Sequence, residues 1–389
     1  MGCLLCCAAC QTLSCAGSAC AACTPKKSTR CANLLYLVVF LICTAMAVAL
    51  QYWGAPAFHI YSFDVGCSDI PGIDVDACKG DSAVYRVSMG LALWFTAVSV
   101  GTMIGRRSFH ANSWGFKLLA LFTLVTGLFF VPVNTVDAYV PVARIVSAVF
   151  LVSQIVAFID AAYHWNAWVV GRVFDEDGYE NPRWMTGALV VCGTLSLVAL
   201  VAIILLFVNY GQCTRSSLFI ALTVVLCIGV TIWQLKTHNT DSSLLTSCIV
   251  TVYAVYLCWS SVQANPDTCN VALDDSEDPQ AIFLGMAITV CSLGWTCYSA
   301  STREYFEAED EEALVSESDE EDEEDSFWLF HLVMATGSVY MAMLLTNWGT
   351  HGGQRSSAQM WVSIISQWLS LCVYGWTLLA PTCLPDRAF

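Results

Sequence analysis

Residues 138–172 read AYVPVARIVSAVFLVSQIVAFIDAAYHWNAWVVGR, 35 residues in which Arg144 and Asp160 are the only formal charges before the final Arg172. A bilayer core of about 30 Å needs only about 20 apolar helical residues, because each residue advances the helix by roughly 1.5 Å. Thirty-five residues of helix extend about 50 Å, so this segment tilts steeply, breaks, or protrudes. Pro141 stands near its start, where a first helical turn tolerates proline. The segment therefore reads as one long oblique helix of a membrane protein, with three spans before it and six after.

The rest of the chain agrees. It has 389 residues, 57% hydrophobic and only 12% charged, about half the charge usage of a soluble domain. The net charge of −16 is concentrated, since 14 of the 32 Asp and Glu lie between Glu304 and Asp325 with no Lys or Arg among them. Without that stretch the chain is almost neutral. This composition excludes a basic nucleic-acid binder, a coiled coil and an ordinary disordered protein. Ten apolar stretches emerge, approximately 31–53, 83–104, 114–133, 138–171, 184–210, 216–235, 243–263, 280–299, 327–347 and 359–381. Trp and Tyr mark many of their ends, as at Tyr52, Trp53, Trp114, Trp184, Tyr210, Trp348 and Trp376, where amphipathic rings sit well at headgroup level.

The expected architecture is an all-α polytopic membrane protein with ten transmembrane helices. A Cys-rich N-terminal segment covers 1–30, the ten-span domain 31–381, an acidic loop 300–326 within it, and a tail 382–389. Ten crossings put both termini on one side. The loops of that side carry eleven of the 16 Lys and Arg and the opposite side five, so the positive-inside rule places both termini and the acidic loop in the cytoplasm. No internal repeat relates the two groups of spans, which gives no support to an inverted-repeat transporter.

The cysteines sort by side. Seven of the 21 crowd into the first 23 residues. Cys7-x-x-Cys10 and Cys20-x-x-Cys23 have the spacing of zinc ligands, but without the polar, turn-rich spacers of closed zinc modules. Cys3, Cys6, Cys7 and Cys10 would share a helical face and read as S-acylation candidates; Met1-Gly2-Cys3 fits myristoylation poorly because Cys6 stands where Ser or Thr is wanted. No metal and no cofactor is expected. On the opposite side Cys67, Cys78, Cys213 and Cys269 form an even set in an oxidising compartment. Their simplest pairing is Cys67 with Cys78 and Cys213 with Cys269, although four cysteines allow three pairings.

Charges inside a bilayer are costly and point to function by default. On the long helix Arg144, Gln154, Asp160, His164 and Asn166 are the candidates, with Asp160 and His164 at i and i+4 on one face. Arg86 and Lys117, near span ends, read as snorkelling side chains. His59, His110, His238 and His351 fall in loops and read as surface or interfacial residues. No Gly-x-Ser-x-Gly, His-Glu-x-x-His or phosphate-binding glycine loop is present, so no enzyme is expected.

Several segments together resemble the serine incorporator family, also called the TMS membrane proteins. They are Ala83-Val-Tyr-Arg-Val-Ser-Met-Gly, Trp114-Gly-Phe-Lys-Leu-Leu-Ala, Ile159-Asp-Ala-Ala-Tyr-His-Trp-Asn, Val252-Tyr-Ala-Val-Tyr-Leu-Cys-Trp-Ser-Ser, Asn265-Pro-Asp-Thr-Cys-Asn and Phe330-His-Leu through Leu345-Thr-Asn-Trp, in order along nearly the whole chain. The chain departs from the family in having no Asn-x-Ser/Thr sequon, a compact loop after Cys269, and an unusually acidic cytoplasmic loop. The resemblance implies two bundles joined by a long diagonal helix. It also implies a role in incorporating serine into phosphatidylserine and sphingolipids, with lipid binding and ATP-independent scrambling. Membrane phospholipids are then the expected partners, and Arg144, Gln154, Asp160, His164 and Asn166 the expected lipid track. The competing expectation is a scaffold whose acidic loop recruits lipid-synthesis enzymes or basic cytoplasmic proteins, with Ser316 and Ser318 as acidophilic phosphorylation sites. An integral position in an endomembrane or the plasma membrane follows from either.

Overall fold

The computed structural model describes residues 25–54, 75–111, 113–173, 182–236, 244–270, 279–310, 319–349 and 356–383. Among them every regular element is helical: α1 (Pro25–Ala49, continued by a π turn Leu50–Gly54), α2 (Val75–Ala111), α3 (Trp114–Leu128), α4 (Val133–Val173), α5 (Pro182–Tyr210), α6 (Thr214–Lys236), α7 (Leu244–Gln263), α8 (Pro279–Asp310), α9 (Asp319–Leu345) and α10 (Ser357–Cys383). Apolar helices are what a chain in lipid must form, since each backbone N–H and C=O has to find its partner within the segment. Nine of the described helices are long and apolar enough to cross a membrane.

The tenth expected span is where the structure departs. The stretch expected at 114–133 is helical only over the 15 residues of α3, about 22 Å. Beyond Leu128 the amides of Phe129, Phe130 and Val131 turn back to carbonyls three residues earlier, and Pro132 supplies no N–H to continue. The long helix, in contrast, exceeds expectation. α4 runs unbroken for 41 residues with Pro141 inside it rather than in its first turn.

The chain divides into two compact units, residues 1–150 with 282–352, and residues 151–281 with 353–389. α4 passes from the first to the second at Phe150–Leu151. In the first unit α2 and α9 pack along one another, burying Phe40, Val84, Trp94, Phe95, Phe330 and Met343. Gly90 lets α3 come close, because a Cβ there would sit 2.8 Å from Val125 Cγ2. In the second unit α5, α6, α7 and α10 enclose a core that includes Leu206, Phe219, Ile220, Cys258, Met360 and Ile364.

Of the acidic stretch, residues 301–310 continue α8 and 319–326 open α9. Ser316 and Ser318 lie outside the described residues, as do Cys3, Cys6, Cys7, Cys10 and Cys67.

Candidate functional site

The five polar candidates of α4 do not form one row. At 100° per residue Asp160 and His164 share a face, whereas Arg144 lies roughly opposite them and Gln154 to one side. Their surroundings differ accordingly. Gln154 is buried and accepts a hydrogen bond from the Tyr253 hydroxyl at 3.0 Å, the same hydroxyl lying 3.1 Å from the Leu151 carbonyl. Asp160 and Asn166 are half-buried and His164 is exposed, beside the exposed Trp165 and Trp168. Arg144 donates from Nε and Nη2 to the Trp348 carbonyl at 3.1 and 2.8 Å. Asp160 and His164 share one face of a spanning helix, Asp160 half-buried and His164 exposed, while Gln154 and Arg144 make their contacts within their units.

At the end of α4, Arg172 lies over the rings of Trp168 and Trp184, 4.4 and 5.2 Å from their centroids. The two indoles meet edge-on at 5.3 Å. A guanidinium against two Trp rings suits the headgroup layer, where one side is apolar and the other wet.

Arg86 and Lys117 do not snorkel; they are 0% and 2% exposed. Arg86, on α2, donates from Nε to Leu128 O (3.1 Å) and from Nη2 to Val131 O (2.9 Å), and from Nη1 to Ser82 O and Oγ. It thus adds a second donor to the Leu128 carbonyl, which already accepts from the Val131 amide, and supplies one to the Val131 carbonyl just beyond the early end of α3. Lys117, on α3, donates to the carbonyls of Phe109 and His110 at the end of α2 and to the Tyr36 hydroxyl. Its ammonium lies 4.7–5.4 Å from the ring centroids of Phe109, Trp114 and Tyr36.

His110 also departs from expectation, because it is not a surface residue. It is fully buried, with Nδ1 3.0 Å from Nε2 of the equally buried His331 on α9. Tyr36, Phe95, Phe327 and Phe330 close around the pair. Single-residue reading missed this cluster because its members are far apart in the chain; a possible signal was that His331 sits inside an apolar span.

In the second unit a polar seam joins α6, α7 and α10. Asn265 Nδ2 donates to Ser216 Oγ (3.0 Å), Ser261 Oγ to Met360 O (2.9 Å), and Gln367 Nε2 to Thr223 Oγ1 (2.8 Å). The Ser260 and Ser363 hydroxyls meet at 3.2 Å, and Tyr374 bonds both Gln234 and Ser247. At the Asn265 end Cys213 and Cys269 form a disulfide with Cα atoms 5.4 Å apart, reinforced by an ion pair between Arg215 and Asp267 at 3.5 Å. Cys78 is disulfide-bonded too.

A small crevice, with room for about one water molecule, opens in the first unit among α1, α2 and α9. Its walls are apolar, from Ala47, Val87, Leu91 and Met341, with hydroxyls supplied by Ser88 and Ser338. No group of three or more metal-ligating side chains occurs among the described residues.

These features belong to a chain with relatives along nearly its whole length. The family model for serine incorporators (Serinc) matches residues 4–327 and 307–387. Serine incorporator 3 of Bos taurus is 26% identical across 95% of this chain and 94% of its own length. A probable serine incorporator of Nematostella vectensis is 30% identical across 81% of this chain and 82% of its own. Another from Dictyostelium discoideum is 28% identical across 84% and 82%. With matches that run the length of the molecule, the chain belongs to the serine incorporator family.

Proposed function

We propose that this protein binds membrane phospholipids and lets their headgroups pass between leaflets without ATP, and that serine incorporation into phosphatidylserine and sphingolipids is promoted through that lipid handling. The observation that carries the reading is the pair Asp160 and His164, one turn apart on a spanning helix, with His164 exposed and Asp160 only half-buried. An ionisable pair on the outer surface of such a helix is costly against hydrocarbon unless polar groups share the surface. A moving headgroup and its water are such groups, and the tails can stay in lipid. Asn166, half-buried two residues beyond His164, lies on the opposite side of the helix from the pair at 100° per residue and is no part of that polar surface. The disulfide between Cys213 and Cys269 supports an oxidising compartment at that end of the second unit, which puts the C-terminus, five crossings after Cys213, in the cytoplasm of an endomembrane or plasma-membrane protein, and the N-terminus with it provided that the short α3 also crosses.

The test is transbilayer movement of a fluorescent phospholipid in liposomes holding the purified protein. Acceleration over empty liposomes, reduced in Asp160→Asn with unchanged thermal stability, supports the reading; a rate equal to that of empty liposomes overturns it. A second reading, the scaffold, is favoured by the charge of residues 304–325. Deleting them removes cytoplasmic partners if the scaffold is right, and leaves the liposome rate intact if lipid movement is.

A further inference from the structure

α9 ends in an unusual way. Asn347, Trp348 and Gly349 have φ of 46°, 59° and 75°, so three consecutive residues make one left-handed turn. Glycine accepts this conformation freely and asparagine tolerates it, but a bulky residue such as Trp348 is strained there by roughly 1–2 kcal/mol. Such a residue persists only when its surroundings hold it. Here the Trp348 ring is almost fully buried, edge-on to Tyr340 at 6.2 Å, and its carbonyl receives both N–H groups from Arg144. Tyr85 OH lies 2.6 Å from Thr346 Oγ1, just before the turn. Gly349 fills a gap with no room for a side chain; a Cβ would lie 2.7 Å from Val140 Cγ1 and 3.2 Å from Arg144 Nη2.

The closed arrangement is not fully satisfied. The Trp348 indole N–H is buried without an acceptor, which costs free energy. Arg144 is half-buried, and both its hydrogen bonds go to one neutral carbonyl, with no carboxylate paired to it among the described residues. A guanidinium offers five donors in a planar fork that matches phosphate better than a single peptide oxygen. A phosphate group within reach is therefore the stronger acceptor.

We propose that Arg144 and the turn Asn347–Gly349 form a latch opened by a phosphate group. The latch is closed while the guanidinium holds the Trp348 carbonyl. It opens when phosphate draws the guanidinium away, the turn relaxes toward right-handed geometry, and the indole leaves its pocket. This deepens the lipid reading above and rests on it for the source of the phosphate, a lipid headgroup.

Hydrogen exchange of the full-length protein tests the latch, read on peptides covering Asn347 to Gly349, where the Gly349 amide bonds Thr346 O at 3.0 Å. Three conditions are compared: phosphate-free maltoside micelles, the same micelles with phosphatidic acid, and the same micelles with inorganic phosphate. Phosphatidic acid should raise exchange at the turn about fivefold or more, the lower end of ordinary coupling between sites. An equal rise with inorganic phosphate supports the latch and makes free phosphate its ligand. Arg144→Gln should exchange fast in all three conditions while peptides of α7 stay protected. Asn347→Gly, which eases the backbone without touching the Arg144 contact, should exchange slowly and respond less. The proposal is overturned if neither phosphate source changes exchange at the turn, or if Arg144→Gln leaves it as slow as wild type. Because the readout needs no lipid transport, an opening turn in a protein that fails the liposome assay sinks the transport reading and keeps the latch.

Discussion

Arg86 and Lys117 cap one another's helices. Arg86 rises from α2 to take the Leu128 carbonyl that ends α3, and Lys117 reaches from α3 to the Phe109 and His110 carbonyls that end α2. Each cation meets the negative end of the neighbouring helix dipole, and each fills a gap that water would fill in a soluble protein. The short α3 is tolerable in an apolar setting because Arg86 accounts for its loose end.

Removing Arg86 takes the donor from the Val131 carbonyl, and removing Lys117 takes it from the Phe109 carbonyl, while Leu128 O keeps the Val131 amide and His110 O the Tyr36 hydroxyl. Arg86→Met and Lys117→Met should each lower stability by about 2–4 kcal/mol. Arg86→Lys should recover only part of the loss, since one ammonium cannot reproduce the spread of the guanidinium. Thermal unfolding in detergent checks this; a loss below about 0.5 kcal/mol for Arg86→Met, the usual size for a featureless surface change, would contradict the capping role.

The His110–His331 contact predicts non-additivity. His110→Phe and His331→Phe each keep a ring among Tyr36, Phe327 and Phe330 but leave the other imidazole nitrogen without its partner. Each single change should cost about 1–3 kcal/mol. The double change should cost less than their sum, with a coupling of about 0.5–3 kcal/mol. Strict additivity in a double-mutant cycle would mean that the two rings do not share a proton.

The Cys213–Cys269 bridge closes a loop with a sequence separation of 56. Cross-linking a loop of that size restricts the unfolded chain by about 4 kcal/mol in the loop-entropy description, less any strain. Cys213→Ser with Cys269→Ser should therefore lose about 2–4 kcal/mol. Non-reducing peptide mapping should find the Cys213 and Cys269 peptides linked; free thiols at both would remove the bridge.

Much of the fold was legible because it rests on local pattern. Runs of about 20 apolar residues announce themselves, and the unusual length of α4 was visible in residues 138–172, although the helix starts earlier, at Val133. What sequence could not show is where partners sit. Arg86 and Lys117 looked like snorkelling side chains because their acceptors, Leu128 O and Phe109 O, are backbone atoms of a neighbouring helix. His110 looked like a loop residue because α2 continues past the apolar stretch to Ala111. Arg144 was legible as a costly charge, but its tie to the Trp348 carbonyl depends on a left-handed turn that no periodicity signals. Asp160 and His164 were legible as a pair because i, i+4 spacing is itself local.

The polar seam of the second unit makes a prediction in which deleting a hydrogen bond stabilises. Gln367 is fully buried; its Nε2 donates to Thr223 Oγ1, while its Oε1 meets no donor. Thr223 has a second contact, donating to the Phe219 carbonyl. Gln367→Leu removes the stranded oxygen and leaves Thr223 satisfied, so it should be neutral or slightly stabilising. Thr223→Val has nearly the same shape but leaves the whole Gln367 amide without a partner in an apolar core, and should cost about 1–3 kcal/mol. The double change should return close to wild type, because replacing both partners by apolar groups removes the unsatisfied group along with the bond. Equilibrium unfolding of the three variants decides it. If Gln367→Leu loses as much as Thr223→Val, the amide oxygen has a donor after all, and a bound water between the helices becomes the account of the seam.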